Sequence, residues 1–505
     1  MDKTWGFYGR NSELAEIERI TSSGRWFFCA ISGRRRIGKT TLIHRALRNR
    51  PVRNHFYFQV PDSDERGVVQ SFQEAWEDYA VAIGMPDSDA IATSHNFRTF
   101  SDLASYIALM CENGWIITID EFQYFHRKAL SPFTSFLQAE VDRLRDTNSG
   151  GIFVLGSIHT EMTAILEDQS SPLFNRVTDR IHLEHWDFET LFEMLEAHDI
   201  SSPQHWLFLW SLFEGVPKFY RDCFDKKVLM QTSDHRQSTL QHLFFEGSSP
   251  LRDEAMNWFL RELRGRYDSV LKILANIGPC GLAELKAEYS RAGETGETQL
   301  GGYLTTLIDR YQMVEKLQPV FAAGNSRKAR YSITDNFLMA WLRAIERNVR
   351  LSRVRPIDTP LSRADKMLFE HEGYTLEKMV KLLTEEASRK GVGDFLLTDL
   401  VLGYWNKPDG SDIEIDLVAL NEEDEIIRFG SCKRSQSGHS NESLGKFNKH
   451  IERFFHSKEG MRLSGWRIET ALYATEFSPE NRVRLETAGY ICHDLRDFKN
   501  RLYST

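Results

Sequence analysis

The sequence predicts a multidomain α/β protein on three observations. At 505 residues the chain exceeds one ordinary domain. Residues 1–230 alternate short β-rich apolar runs, at 26–32, 55–60, 115–119, 151–157 and 180–183, with helical patterns. That alternation predicts a parallel sheet with crossover helices. The texture then changes twice, which predicts two further domains.

Residues 255–350 are mostly helical, with helices expected at 267–277, 281–292 and 298–311. Two short strands follow at 313–317 and 329–333, around a loop holding Ala322-Ala323-Gly324-Asn325. Three helices and a β-hairpin form the pattern of a winged helix. Residues 365–505 return to α/β, with a helix at 370–388 and strands near 400–405, 413–420, 425–433 and 470–473. The linker Val354-Arg355-Pro356-Ile357-Asp358-Thr359-Pro360 separates the last two segments. The expected domains are therefore 1–230, 255–350 and 365–505, with no internal repeat or low-complexity tract.

Composition narrows the class. With 41% hydrophobic and 27% charged residues the chain reads as a soluble globular protein. No apolar run reaches the length of a membrane span, and MDKTWGFYGR lacks the apolar core of a secretory signal. The six cysteines are scattered, with no C-x-x-C pair, as expected of reduced thiols in a cytoplasm rather than a disulfide framework or zinc site. The net charge of −9 confines any nucleic-acid contact to local patches.

Gly33-Arg34-Arg35-Arg36-Ile37-Gly38-Lys39-Thr40-Thr41 matches the phosphate-binding pattern G-x-x-x-x-G-K-[ST], between an apolar strand and a helix. Its glycines let the backbone wrap phosphates, while loop N–H groups and the helix N-terminus supply partial positive charge. Lys39 is placed to reach the β- and γ-phosphates, and Thr40 to put its hydroxyl on Mg²⁺. The apolar strand Trp115-Ile116-Ile117-Thr118-Ile119 ends in Asp120-Glu121. Asp120 is the expected metal acid. Glu121 is the expected group that orients and deprotonates water.

These motifs, with those around them, make the N-terminal half resemble the archaeal-type ATPases, AAA-like members of the STAND group. The opening box is Phe7-Tyr8-Gly9-Arg10-Asn11-Ser12-Glu13-Leu14, and the resemblance implies that it lines the adenine pocket. Val154-Leu155-Gly156-Ser157 puts Ser157 at the sensor-1 position. Ser171-Pro172-Leu173-Phe174-Asn175-Arg176 is followed by Arg180. Arg176 is either a finger on the γ-phosphate of a neighbouring copy, which implies a homo-oligomer, or a surface arginine paired with a carboxylate. Gly215-Val216-Pro217, with Lys218 and Tyr220 beyond it, matches the Gly-x-Pro motif after the lid helices. The implied cofactors are ATP and Mg²⁺.

The winged helix has two open readings. Arg327, Lys328 and Arg330 in the wing are suited to weak, salt-sensitive DNA contact. The helix at 298–311 has only Arg310 near its end, which suits an intramolecular clamp on the ATPase instead.

The resemblance continues at the C-terminus, where many members of the group carry a module similar to the PD-(D/E)xK (restriction-endonuclease-like) nucleases. Glu377, Asp416 and Lys433 match the helix glutamate, strand aspartate and strand lysine. In such sites carboxylates hold Mg²⁺, and the lysine positions the nucleophile or offsets developing charge. Position 431 shares a strand face with Lys433, but it is Ser where the family pattern has Glu. A hydroxyl is a poor Mg²⁺ ligand beside a carboxylate. Three readings stay open: an active site with a looser metal on Glu377 and Asp416, DNA binding without cutting, or a structural remnant. The acidic run Glu422-Glu423-Asp424-Glu425 is expected in a solvated turn, and Cys432 as a buried thiol.

Two functions follow. One is a DNA-directed ATPase with a nuclease-like effector, used in defence or repair. The other is an ATP-dependent signalling switch whose C-terminal module binds DNA or a protein without cleavage. A metabolic kinase would not explain the second and third domains.

Overall fold

The computed structural model describes residues 4–48, 54–85, 97–147, 149–157, 159–247, 249, 251–252, 265–293, 299–323 and 326–503. Part of the expected wing loop (Gly324, Asn325) and the first residue of the expected 298–311 helix lie outside them. Compactness divides the chain into two units. The smaller comprises Gly9–His185 and Val216–Lys218, and the larger comprises Met1–Tyr8, Trp186–Gly215 and Phe219–Thr505.

The smaller unit is built on five parallel strands: β1 (Phe27–Gly33), β2 (His55–Gln59), β3 (Ile116–Asp120), β4 (Gly151–Gly156) and β5 (Asp179–Leu183). Their order is β2-β3-β4-β1-β5. β3 and β4 are buried along their whole length. Continuous apolar runs of this kind belong to parallel strands covered on both faces. One face is packed with rings, among them Phe56, Phe72, Trp76, Phe100, Tyr106 and Trp115. The helix Phe100–Glu112 starts at a reciprocal Thr99–Asp102 capping box. Gly33, Asp120 and Gly156 end β1, β3 and β4, so all three lie at the carboxyl edge, where open α/β sheets hold ligands.

The larger unit holds the helices Phe188–Ala197 and Pro203–Phe213. It also holds a small antiparallel sheet of β6 (Cys280–Gly281), β7 (Val314–Leu317) and β8 (Arg330–Ile333), in order β6-β8-β7. Helices Arg266–Ile277 and Leu282–Arg291 lie close to the expected positions. The two-residue β6 was not expected, because so short a strand has no apolar period to read. A second five-stranded sheet comprises β9 (Leu402–Trp405), β10 (Glu414–Asn421), β11 (Ile426–Lys433), β12 (Arg467–Ala474) and β13 (Ile491–Asp494). β9, β10 and β11 are antiparallel neighbours, whereas β11, β12 and β13 run parallel. The helix Asn441–Phe455 makes the crossover from β11 to β12.

One helix organises this unit. Asp358–Arg389 runs 32 residues without a break, about 48 Å at the usual rise. The end of the expected linker, through Pro360, forms its first turn. Proline is tolerated there because those N–H groups have no intrahelical acceptor. Near the helix C-terminus, Glu386 accepts the N–H groups of Phe188 (2.8 Å) and Glu189 (3.0 Å), capping the helix Phe188–Ala197. Midway, the Lys378 ammonium donates to the Thr334 carbonyl (2.8 Å) and to Asn336 (3.1 Å). Nearer the start, the fully buried Glu372 bridges Arg236 and Arg434, the latter at 2.7 Å. All six cysteines are free and buried. Among the described residues no helix is long and apolar enough to cross a membrane.

Candidate nucleotide site and C-terminal carboxylate site

The loop after β1 is shaped by two glycines. Gly33 has φ +146°, and a Cβ there would lie 2.5 Å from the Leu183 carbonyl oxygen. Gly38, at φ +96°, begins the helix Lys39–Leu47. Arg34 and Arg35 are exposed, Arg36 is left-handed (φ 70°), and Ile37 is buried beneath the loop. Thr41 is exposed in the first turn of the helix. The Lys39 ammonium is buried and donates back to the carbonyls of Gly33 (2.8 Å) and Arg34 (3.0 Å). Burial lowers its pKa to about 8 against the opposing charges of Asp120 and Glu121.

Asp120 gathers the facing groups. Its Oδ2 accepts from Thr40 Oγ1 at 2.6 Å and from the Tyr57 hydroxyl at 2.7 Å. Burial, then the Asp120 charge, pushes the Tyr57 phenol up, so it stays a donor. Its neighbour Glu121 adopts φ 56°, a left-handed conformation that is costly for a side chain of this kind and is concentrated at functional sites. The Glu121 carboxylate accepts from Gln123 Nε2. Gln123 also reaches Ser157, with Nε2 3.4 Å from its Oγ and Oε1 accepting its N–H at 3.3 Å. The structure thus brings Lys39, Thr40, Asp120, Glu121 and Ser157 together. Tyr57 and Gln123 are additions that the motifs did not single out. Gln123 stands two residues after Glu121, so the Asp-Glu-Phe-Gln order was its signal.

Other expected residues are placed differently. Arg10 (φ 62°) donates to Glu13 (2.8 Å), to the Glu184 carbonyl (2.6 Å) and to the Ile37 carbonyl (3.3 Å). It therefore ties the opening box to the underside of the phosphate loop. Gly9 precedes it with φ 59°. Tyr8 falls in the larger unit, where its hydroxyl meets His198 Nε2 at 3.0 Å and its ring packs edge-on against Trp5 and Trp186. Pro217 opens the helix Pro217–Asp225. Arg176 makes a two-pronged pair with Asp142, at 2.9 and 2.8 Å, and Arg180 pairs with Glu167 at 2.6 Å. This geometry favours the ion-pair reading of Arg176 over the finger.

In the C-terminal sheet, Asp416 Oδ2 accepts the Cys432 N–H at 2.9 Å, with Ser431 Oγ and Lys433 Nζ each at 3.5 Å. Glu377, on the long helix, is paired with Lys381 at 2.7 Å. Burial, opposed by Lys381 and reinforced by Asp416, raises the Glu377 pKa. Burial likewise pushes the Cys432 thiol well up, leaving it unreactive. Lys381 was missed, although a Glu followed four residues later by Lys is a readable helix pair. Among the described residues no three His, Cys, Asp or Glu side chains are grouped to hold a metal ion.

Two of the residues expected in a wing, Lys328 and Arg330, are engaged with the C-terminal sheet and its neighbouring segments. Arg330 donates to the Pro408 carbonyl (2.6 Å) and Glu414 (2.8 Å) and lies 4.4 Å over the Trp405 ring. Lys328 is 3.8 Å from Glu459, and its carbonyl accepts the Trp405 indole N–H at 2.6 Å. Arg327 is exposed.

A parallel sheet whose carboxyl edge carries the glycine loop, the Lys39–Thr40 pair and Asp120-Glu121 defines a P-loop ATPase core. Residues 7–218 match the family described as an ATPase domain predominantly from Archaea, so the chain carries an ATPase domain of archaeal type. An uncharacterized protein of Methanocaldococcus jannaschii is 24% identical over 446 residues, covering 85% of this chain and 87% of its own length. Among solved structures, a Walker-type ATPase of Pyrococcus abyssi superposes with a TM-score of 0.50 at 16% identity, covering 67% of this chain and 96% of that one. The likeness is one of fold. The ORC2 protein of Aeropyrum pernix, solved as ADPNP and ADP complexes, has a TM-score of 0.45 at 13% identity, covering 72% of this chain and 94% of that one.

Proposed function

We propose that the chain binds and hydrolyses ATP at the 33–41 loop and uses that cycle to control a DNA-binding C-terminal module. The observation that carries this reading is the carboxylate of Asp120, shared by Thr40 at 2.6 Å and Tyr57 at 2.7 Å beside the Lys39 ammonium. Lys39 exchanges its loop carbonyls for phosphate oxygens. Thr40 and Asp120 are the groups that fit Mg²⁺, which would offset phosphate charge. Glu121, released from Gln123, orients water. Ser157, joined to Gln123, senses the same event. The resemblance to STAND-type ATPases supports a switching rather than a metabolic role.

Control of the C-terminal module is supported by the long helix. It caps the helix Phe188–Ala197, through Glu386, and holds the end of β11, through Glu372 and Arg434. Rotation of the lid helices therefore pulls on the strand that carries Lys433. The order helix, three antiparallel strands, crossover helix and parallel strand supports the nuclease-like reading of that module, and DNA is the partner proposed for it.

The test is a pair of measurements on Glu121→Gln. It should bind labelled ATP as wild type does and turn over at least about 100-fold more slowly. Hydrolysis at the wild-type rate would remove Glu121 as the base. Retarded migration of duplex DNA that weakens steeply with salt should accompany the wild-type chain. No retardation at low salt would sink the DNA reading.

A further inference from the structure

The C-terminal site differs from an open metal site in what its acids already hold. Glu377 has the Lys381 ammonium at 2.7 Å. Asp416 has Lys433 at 3.5 Å, the Cys432 N–H at 2.9 Å and the Ser431 hydroxyl at 3.5 Å, all on the same Oδ2. Glu414, two residues before Asp416 on β10, is taken by Arg330 at 2.8 Å. Lys381 also lies within electrostatic reach of Asp416 and Cys432. Each acid of the cluster therefore has its own cation.

Mg²⁺ requires near-octahedral oxygen ligands and gives up water reluctantly. Here the position that should supply the second strand carboxylate is Ser431, a neutral hydroxyl. Two ammonium groups oppose a dication entering between Glu377 and Asp416. The residues present do not fit a divalent metal.

We infer that the Lys381 ammonium occupies the role of the divalent cation in this site, so that the module engages the phosphodiester backbone with lysine charge and leaves it uncut. This rests on the DNA-binding reading of the module proposed above. Lys433, the more exposed and more loosely paired of the two, supplies the positive charge that meets the backbone, while Lys381 neutralises the acid beside it. Asp416 and Glu377 hold them in place and are positioning residues rather than metal ligands.

The experiment is Mn²⁺ titration of the full chain without nucleotide, followed by electron paramagnetic resonance. Wild type and Asp416→Asn should give the same isotherm, because any Mn²⁺ at the phosphate loop is common to both. A component with Kd below about 1 mM that is present in wild type and absent in Asp416→Asn would overturn the inference. The double variant Lys381→Met with Ser431→Glu restores a metal-type donor set and should gain one Mn²⁺ equivalent, which Asp416→Asn then removes. A folded double variant that gains none shows that Lys381 is not the excluding group, and the assignment fails. If that variant does not fold, the comparison of wild type with Asp416→Asn still decides. Wild type that shows no Asp416-dependent Mn²⁺ and also fails to retard duplex DNA overturns the DNA reading and leaves the metal result standing.

Discussion

Lys39 and Lys381 are both lysines set among carboxylates, yet they are held in opposite ways. Lys39 donates to two main-chain carbonyls of its own loop, while the neighbouring Asp120 is engaged by Thr40 and Tyr57. Lys381 donates directly to Glu377. A carbonyl is a neutral partner that a phosphate oxygen can replace with a gain in Coulomb energy. A carboxylate partner has already neutralised the ammonium, and replacing it exposes a buried acid. On the proposed reading the first lysine is an anion receptor in waiting. The second is a cation already in use. A lysine beside an acid thus means different things according to whether the acid or the backbone holds it.

The comparison can be broken first at its frame. Glu372 is a fully buried carboxylate between two guanidinium groups, one of them on Arg434 next to Lys433. Glu372→Ala should destabilise the larger unit by about 3–5 kcal/mol, read in urea unfolding, because it leaves buried charge without its partner. A loss under about 1 kcal/mol would mean that β11 is not anchored by this triad.

Next comes the receptor itself. Lys39→Ala should weaken ATP binding by about 100-fold or more, measured by fluorescence titration, as expected for losing a charge-assisted contact to phosphate in a buried site. Retained affinity would mean that the loop amides alone hold the nucleotide.

A smaller effect concerns pH. The free Lys39 has a pKa of about 8, lowered by burial. Below that pH the ammonium is already present when ATP arrives. Above it, binding must take up a proton, so Kd should rise toward a limit of about tenfold per pH unit. A Kd that stays flat from pH 7 to about 9.5 would contradict an ammonium held this way.

The smallest expected effect is at Arg176. As a partly exposed pair with Asp142 it should contribute about 0.2–1 kcal/mol to stability. Arg176→Ala should therefore keep close to the wild-type ATPase rate by itself, and mixing it with Lys39→Ala protein should add no activity beyond its own. Recovery in the mixture would reinstate the finger between copies.

Local order carried most of the nucleotide site. Gly33, Gly38, Lys39 and Thr40 lie in one short segment, and Asp120-Glu121 closes an apolar strand, so both halves of the site could be read in sequence. Gln123, two residues past Glu121, lay within reach of that reading, but Tyr57 did not. Tyr57 reaches Asp120 only because β2 pairs with β3 in the register that sets Gln59 opposite Asp120. The C-terminal module shows the reverse balance. Glu377, Asp416 and Lys433 were picked out by pattern, but what they are bonded to lies outside it: Lys381 pairs with Glu377, the Cys432 amide donates to Asp416, and Arg330 holds the nearby Glu414. By sequence Arg330 reads as a DNA contact of the expected wing. Instead it closes onto β9 and β10, because Trp405 offers a ring face and Glu414 a carboxylate at one point.

Sequence alone determined that a glycine loop ending in Lys39-Thr40 and an Asp120-Glu121 pair stand at strand ends of a parallel sheet, because backbone geometry at a strand end needs only glycines and a few contiguous residues. Tertiary structure decided what each charge is paired with. It turned Arg10 into a brace beneath the loop, tied Arg176 to Asp142, made residues 358–389 a single helix joining the helix Phe188–Ala197 to the end of β11, and set Lys381 against Glu377. Pairing depends on distances between residues far apart in the chain, and those distances exist only once the core has packed.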